Sequence, residues 1–323
     1  MKNIQADIKS GNFKQVYLLY GEEAYLKQQY KQNLVKALNP DGDTMNFNHY
    51  EGKGIDVKQL IDLCETMPFF AERRVVLLED TGFFKNKCEE LADYMKELPD
   101  YLYLVFAETE VDKRNRMYKA VKACGSIAEF IRQDEKTLMR WAAGILGKAG
   151  KKITQRDMEL LLTKTGTDMG NLRMEMEKLI SYTEGRDVVT AEDIEEICTT
   201  QTTNRIFDMV RAVTEKNQKR ALELYYDLLT LKEPPMRILF LLAKQYRQLL
   251  LAKQFAAAGL AQTEIASKLG VPGFVVRNIT TCARAYTISE LEQAVKDFVD
   301  AEESVKTGRL EDKLSVALST AVK

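Results

Sequence analysis

Residues 15–25 read QVYLLYGEEAY, and this stretch decides the fold. Gln15–Tyr20 is a short run with almost no polar interruption, Gly21 ends it, and Ala24–Leu38 then carries amphipathic helical spacing up to the stop Asn39-Pro40-Asp41-Gly42. A strand without polar alternation is buried on both faces, and a helix directly behind it begins a parallel β–α arrangement.

Working outward, the alternation continues. Met45–Tyr50 reads as a second strand, and Asp56–Thr66 as a helix with Val57, Leu60, Ile61 and Cys64 on one face. Arg74–Glu79 (RVVLLE) and Tyr101–Ala107 (YLYLVFA) are two further buried strands, separated by a helix at Cys88–Leu98 and the turn Pro99-Asp100. A helix at Arg114–Cys124 and a strand at Ser126–Ile131 follow. This pattern predicts a mostly parallel sheet covered by helices on both faces.

After about Asp134 the strands stop. Thr137–Ala149, Asp157–Thr165, Asp168–Tyr182 and Ala191–Cys198 read as helices, with Gly150, Gly166 and Gly185 at helix ends and Thr190 with Asp193 forming a cap. Thr199–Asn204, polar throughout, reads as a link. From Arg205 onward every segment is helical. Pro234-Pro235 breaks one helix and starts a long one reaching Ala258, and Ser289–Thr307 and Glu311–Val322 close the chain. The expected division is an α/β domain over 1–136, a small helical domain over 137–204 and an all-helical domain over 205–323.

Composition narrows the function. A chain of 323 residues exceeds one ordinary core, and 45% hydrophobic with 29% charged residues is the profile of a folded, soluble protein. Lys+Arg 47 against Asp+Glu 48 leaves a net charge of −1, which argues against a wholly basic nucleic-acid coat and leaves a local basic face open. No apolar stretch is long enough to span a bilayer, and Met1–Phe13 lacks the apolar middle of a signal peptide, so no membrane partner and a cytoplasmic location are expected. The five cysteines (Cys64, Cys88, Cys124, Cys198, Cys282) stand singly, and His49 is the lone histidine, so neither a metal site nor a histidine-based triad is expected.

A sheet with a helical lid invites nucleotide hydrolysis, which requires the loop G-x-x-x-x-G-K-S/T after the first strand. Here Tyr20-Gly21-Glu22-Glu23-Ala24-Tyr25 offers one glycine, no lysine and two carboxylates where a polyphosphate needs positive charge. The motif occurs nowhere else, and Glu79-Asp80, although placed like a metal-positioning acidic pair, reads as a strand-end turn. No catalytic residue and no cofactor site are expected.

The informative segment precedes the RVVLLE strand: Thr66-Met67-Pro68-Phe69-Phe70-Ala71-Glu72-Arg73-Arg74. Pro68 prevents the preceding helix from continuing, and two consecutive phenylalanines in a turn cannot both point inward on helical or strand geometry. An exposed aromatic beside Met67 has the composition of an interface anchor. Packing of both rings beneath the sheet is the competing arrangement.

In these segments the sequence resembles the delta subunit of bacterial DNA polymerase III clamp loaders. The resemblance runs through Val16–Glu23, Met67–Val76, Asp112-Lys113-Arg114 with Tyr118-Lys119, the Trp141 segment, Asn171–Leu179, Asn204–Phe207, Glu233-Pro234-Pro235 and Lys306-Thr307-Gly308. It implies an AAA+-like α/β domain without a functional phosphate loop, a helical lid and a helical collar. It implies no intrinsic catalysis, within a DNA-directed DNA polymerase (nucleotidyltransferase) holoenzyme.

By the same resemblance Met67, Phe69 and Phe70, shaped by Pro68, present apolar side chains to the beta sliding clamp. The implied partners are that clamp, the ATPase tau/gamma subunits, delta prime, and primer–template DNA within the complex. Ring opening during replication is the implied outcome. Arg173 stands where related ATPases keep a phosphate-sensing arginine and is expected to pair with Glu175, Glu177 or the first domain. Lys148, Lys151 and Lys152, or Lys244, Arg247 and Lys253, are basic clusters, none of which identifies a DNA site.

Two rival readings remain. Gln262–Val271 resembles the first half of a helix-turn-helix DNA-binding regulator, but the helix that would read bases begins Pro272-Gly273-Phe274-Val275-Val276 and offers mainly Arg277 and Asn278. A reading helix needs several long polar side chains on its exposed face, so core packing is favoured. The other rival, an active AAA+ ATPase, requires tight ATP binding despite Glu22 and Glu23.

Overall fold

The computed structural model describes residues 2–200, 202–271, 273–309 and 311. It divides into two compact units, the first ending at Gln133 and the second beginning at Asp134.

In the first unit α1 (Lys2–Ser10) precedes β1 (Val16–Tyr20), α2 (Ala24–Leu38), β2 (Phe47–Glu51), α3 (Val57–Glu65) and β3 (Arg74–Glu79). Then come α4 (Glu89–Tyr94), β4 (Leu102–Glu108), α5 (Arg116–Cys124) and β5 (Ser126–Glu129). The strands form one five-stranded sheet in the order β2-β3-β4-β1-β5, every neighbouring pair parallel. In register, Leu18 stands between Phe106 and Ile127.

Alternate residues of a strand point to opposite faces, and the unbroken apolar runs therefore supply two cores at once. Val16, Leu18, Val76, Leu78, Leu104 and Phe106 join Leu60 and Cys64 of α3, Leu91 of α4, and Met117 and Val121 of α5. Tyr17, Leu19, Val75, Leu77 and Val105 face the other way, onto Ile4 of α1 and Leu34 and Leu38 of α2. Asp56 and Asn115 cap α3 and α5 by accepting from backbone N–H groups of the first turn. The helix α1 has no counterpart among the expected elements: its charged residues conceal the i,i+4 pair Ile4 and Ile8, which packs against the second core.

The second unit holds α6 (Glu135–Lys148), α7 (Gln155–Thr165), α8 (Met169–Tyr182), α9 (Ala191–Ile197), α10 (Thr202–Thr214), α11 (Gln218–Thr230), α12 (Pro235–Ala257), α13 (Gln262–Leu269), α14 (Gly273–Ala283) and α15 (Ile288–Lys306). Two corrections arise here. β6 (Lys152–Ile153) and β7 (Val188–Val189) form a small parallel pair, so strands do not end at Asp134. Two residues are too few to show a period. The link expected over Thr199–Asn204 is also shorter, because α10 already begins at Thr202. The closing helix expected over Glu311–Val322 lies outside the described residues except for Glu311 itself.

Buried apolar side chains of the second unit form two groups. Leu146, Leu161, Leu172, Met176 and Leu179 hold α6–α8 together, and Ile206, Met209, Tyr225, Leu242, Tyr246, Leu249 and Phe298 hold α10–α12 and α15. Gly150, Gly166 and Gly185 all take positive φ, as helix-ending residues do, and Thr190 with Asp193 closes a reciprocal capping box.

Candidate functional site

The segment between α3 and β3 lies at the amino-terminal edge of the sheet. Thr66 leaves α3 with extended backbone, and Pro68 follows, so the helix cannot continue. Met67, Phe69 and Phe70 are 74%, 58% and 95% exposed, and Pro68 is half-buried. The two rings meet edge to face with centroids 4.5 Å apart. Phe70 adopts φ +49°, a left-handed conformation that a bulky side chain adopts only at a cost in free energy. The competing arrangement, with both rings beneath the sheet, is therefore not the one found.

Two buried polar side chains fasten this turn. Asn46, immediately before β2, donates from Nδ2 to the Phe69 carbonyl at 2.9 Å, and its Oδ1 accepts from the Phe69 N–H at 2.7 Å. Arg74, the first residue of β3, donates from Nε to the Thr66 carbonyl at 2.8 Å and from Nη2 to the Met67 carbonyl at 3.3 Å. Its Nη1 reaches Asn48 Oδ1 at 3.2 Å. Asn46 is itself oriented by Asp43, whose carboxylate accepts from Nδ2. That bond and the Met45 N–H hold the Asp43 carboxyl below the usual range. Neither Asn46 nor Arg74 stands out in the sequence as a site residue, since each closes its contacts only in three dimensions.

The opposite, carboxyl-terminal edge is where α/β sheets ordinarily hold ligands. Here the loop after β1 is tied to the end of β5. Phe130 N–H donates to the Tyr20 carbonyl at 2.7 Å, and Glu23 N–H donates to the Phe130 carbonyl at 2.9 Å. A helix-start N–H that could face a phosphate is thus already bonded. Glu22 pairs with Arg132 at 3.4 Å. Glu79 is more than a strand-end turn: it receives Lys31 Nζ at 2.6 Å and His49 Nε2 at 2.9 Å, while Asp80, at φ +47°, makes the turn. Glu108 is buried and accepts from the Thr81 hydroxyl at 2.6 Å and the Thr81 N–H at 3.1 Å, and burial pushes its carboxyl up. Lys27 donates to the Glu108 carbonyl at 2.9 Å, and burial lowers its pKa. Lys27 and Lys31 are thus both engaged by the protein itself.

Arg173 pairs with Glu177 at 2.7 Å, and Glu175 instead takes Lys178 at 2.6 Å. Lys151 donates to the Thr183 and Arg186 carbonyls and Lys253 to the Ala283 carbonyl. α13 and α14 are successive helices that touch one another, but Val276 and Ile279 are wholly buried and Arg277 reaches Glu159 at 3.5 Å. Cys64, Cys198 and Cys282 are buried, and burial pushes the Cys64 and Cys198 thiols up to about 12. Among the described residues no cluster of His, Cys, Asp and Glu could hold a metal, and no helix is long and apolar enough to cross a membrane.

A parallel sheet in this strand order, with a loop closed over by its own backbone at one edge and an exposed aromatic turn at the other, defines a parallel α/β protein that displays an apolar turn to solvent. The family model described as DNA polymerase III, delta subunit matches residues 17–130, and that described as DNA polymerase III delta subunit, C-terminal domain matches 203–321. The DNA polymerase III subunit delta of Bacillus subtilis is 26% identical over 329 residues, covering 98% of this chain and 94% of that protein. The probable DNA polymerase III subunit delta of Aquifex aeolicus is 22% identical over 270 residues, covering 79% and 75%. The solved Bacillus subtilis DNA clamp loader delta protein (YqeN) superposes with a TM-score of 0.67 at 23% identity, covering 100% of this chain and 99% of that one. The chain belongs to the DNA polymerase III delta-subunit family.

Proposed function

We propose that Met67, Phe69 and Phe70, presented by Pro68, are the anchors through which this chain grips the beta sliding clamp and favours its open ring for loading onto primed DNA. The observation that carries this reading is the outward display of two aromatic rings and a methionine on a backbone that buried side chains hold in place. Water leaves such a surface favourably when another protein covers it, by about 1.5–3 kcal/mol for each side chain fully buried. The clamp opens because the open ring binds this element better than the closed one does, so that binding shifts the population rather than pulling the ring apart.

In this reading the chain hydrolyses no ATP. Glu22 and Glu23 stand after β1 where a phosphate loop would need lysine, and the Glu23 N–H is bonded to Phe130. Nucleotide-driven motion comes from ATPase tau/gamma subunits, with delta prime completing the assembly in the cytoplasm. Residues 137–204 serve as a lid and 205–323 as a collar for the other subunits, with primer–template DNA held within the complex. Tyr226, Phe240 and Val299, all exposed on helices of the second unit, suit such packing.

Gel filtration of the chain mixed with its cognate clamp is the direct test: co-elution is expected, and separate elution at micromolar concentrations overturns the reading. Calorimetric titration with Mg-ATP should show no heat of binding. Tight binding would instead revive the ATPase alternative.

A further inference from the structure

We propose that Asn46 is a positioning residue for the docking turn, setting clamp affinity by holding the Phe69 backbone while touching no partner itself. The proposal rests on the docking function given above and adds a residue from a different loop to it.

The geometry is reciprocal. One carboxamide both accepts from the Phe69 N–H at 2.7 Å and donates to the Phe69 carbonyl at 2.9 Å, the pairing that a neighbouring strand would otherwise supply. The Asn46 carbonyl accepts from the Val75 N–H at 2.9 Å, so the residue is anchored to the sheet through its main chain. Asp43 accepts from the same Nδ2, which fixes the carboxamide's orientation. Asn46 is 3% exposed, so it cannot be a contact residue in its own right.

The need for such a tie follows from what the turn displays. Phe69 and Phe70 gain nothing from solvent, and Phe70 holds an unfavourable left-handed backbone. A free turn would relax and fold its rings onto the nearest apolar surface. Binding would then have to reverse that collapse and order the turn, which lowers affinity without removing any contact. Asn46 fixes the turn before the clamp arrives.

Amide hydrogen exchange of the free chain, with clamp binding measured in parallel by surface plasmon resonance, tests this. In the wild type the Phe69 amide should exchange at least about tenfold more slowly than an unstructured amide, because its N–H is bonded. Asn46→Ala should abolish that protection, leave the β3 and β4 amides protected, and weaken clamp binding about tenfold. Asp43→Ala, a change away from the core, should loosen the carboxamide and fall between the two. An unprotected Phe69 amide in the wild type overturns the proposal, as do Asn46→Ala and Asp43→Ala chains that bind the clamp like the wild type. The exchange measurement needs no clamp. If removing both rings left clamp binding intact, the docking function would fail, while exchange would still report whether Asn46 holds the turn.

Discussion

Gly21 and Phe130 approach so closely that a β-carbon on Gly21 would overlap the Phe130 carbonyl, and Gly21 also takes φ +122°. A side chain is thus excluded twice, by space and by backbone conformation. This contact is how the corner after β1 is closed: β5 sits against the loop that in a nucleotide-binding sheet would be free to wrap a phosphate.

Gly21→Ala should accordingly destabilise the first unit by about 2–4 kcal/mol, a cost larger than most single substitutions. Urea unfolding followed by far-UV circular dichroism reads it. A variant within about 0.5 kcal/mol of the wild type would mean that the loop and β5 separate easily.

Phe70 offers a comparison that isolates backbone strain from its ring. Both Phe70→Ala and Phe70→Gly remove an exposed side chain, but only glycine adopts φ +49° without a β-carbon penalty. Phe70→Gly should therefore be more stable than Phe70→Ala by about 1 kcal/mol, although both lose clamp affinity. Equal stabilities would show that the turn relaxes out of the left-handed conformation when the ring is gone.

Asp193 closes the capping box of α9 and pairs with Arg186 at 2.9 Å. Burial alone would push its carboxyl up, but the Thr190 N–H, Arg186 and the Thr190 hydroxyl outweigh it and hold the pKa below the usual value. A carboxyl depressed in the folded state lends stability above its unfolded pKa and loses it as pH falls through the folded one. Asp193→Asn should thus cost about 1–2 kcal/mol at neutral pH, with the gap narrowing on acidification below the ordinary aspartate range. Thermal melts of both chains across pH 7 to 3 would show it, whereas a gap independent of pH would contradict the assignment.

Much of the fold was legible because burial wrote itself into unbroken runs such as VYLLY and RVVLLE, and because Pro235, Gly150 and Thr190 act locally. What escaped was short or masked by charge: the two-residue strands β6 and β7 have no period, and α1 hides its apolar pair among lysines and an aspartate. For the turn at Met67–Phe70, periodicity left exposure of Phe69 and Phe70 undecided. The deciding contacts come from Asn46, 23 residues away in sequence from Phe69, and from the Arg74 guanidinium folding back on Thr66 and Met67. No local pattern announces either.

The most direct measurement is surface plasmon resonance of the double variant Phe69→Ala, Phe70→Ala over immobilised cognate clamp, alongside its urea stability. Two rings leaving water are worth about 3–6 kcal/mol, so affinity should fall at least about a hundredfold while stability stays within about 0.5 kcal/mol of the wild type. Wild-type clamp affinity in that variant would contradict the account.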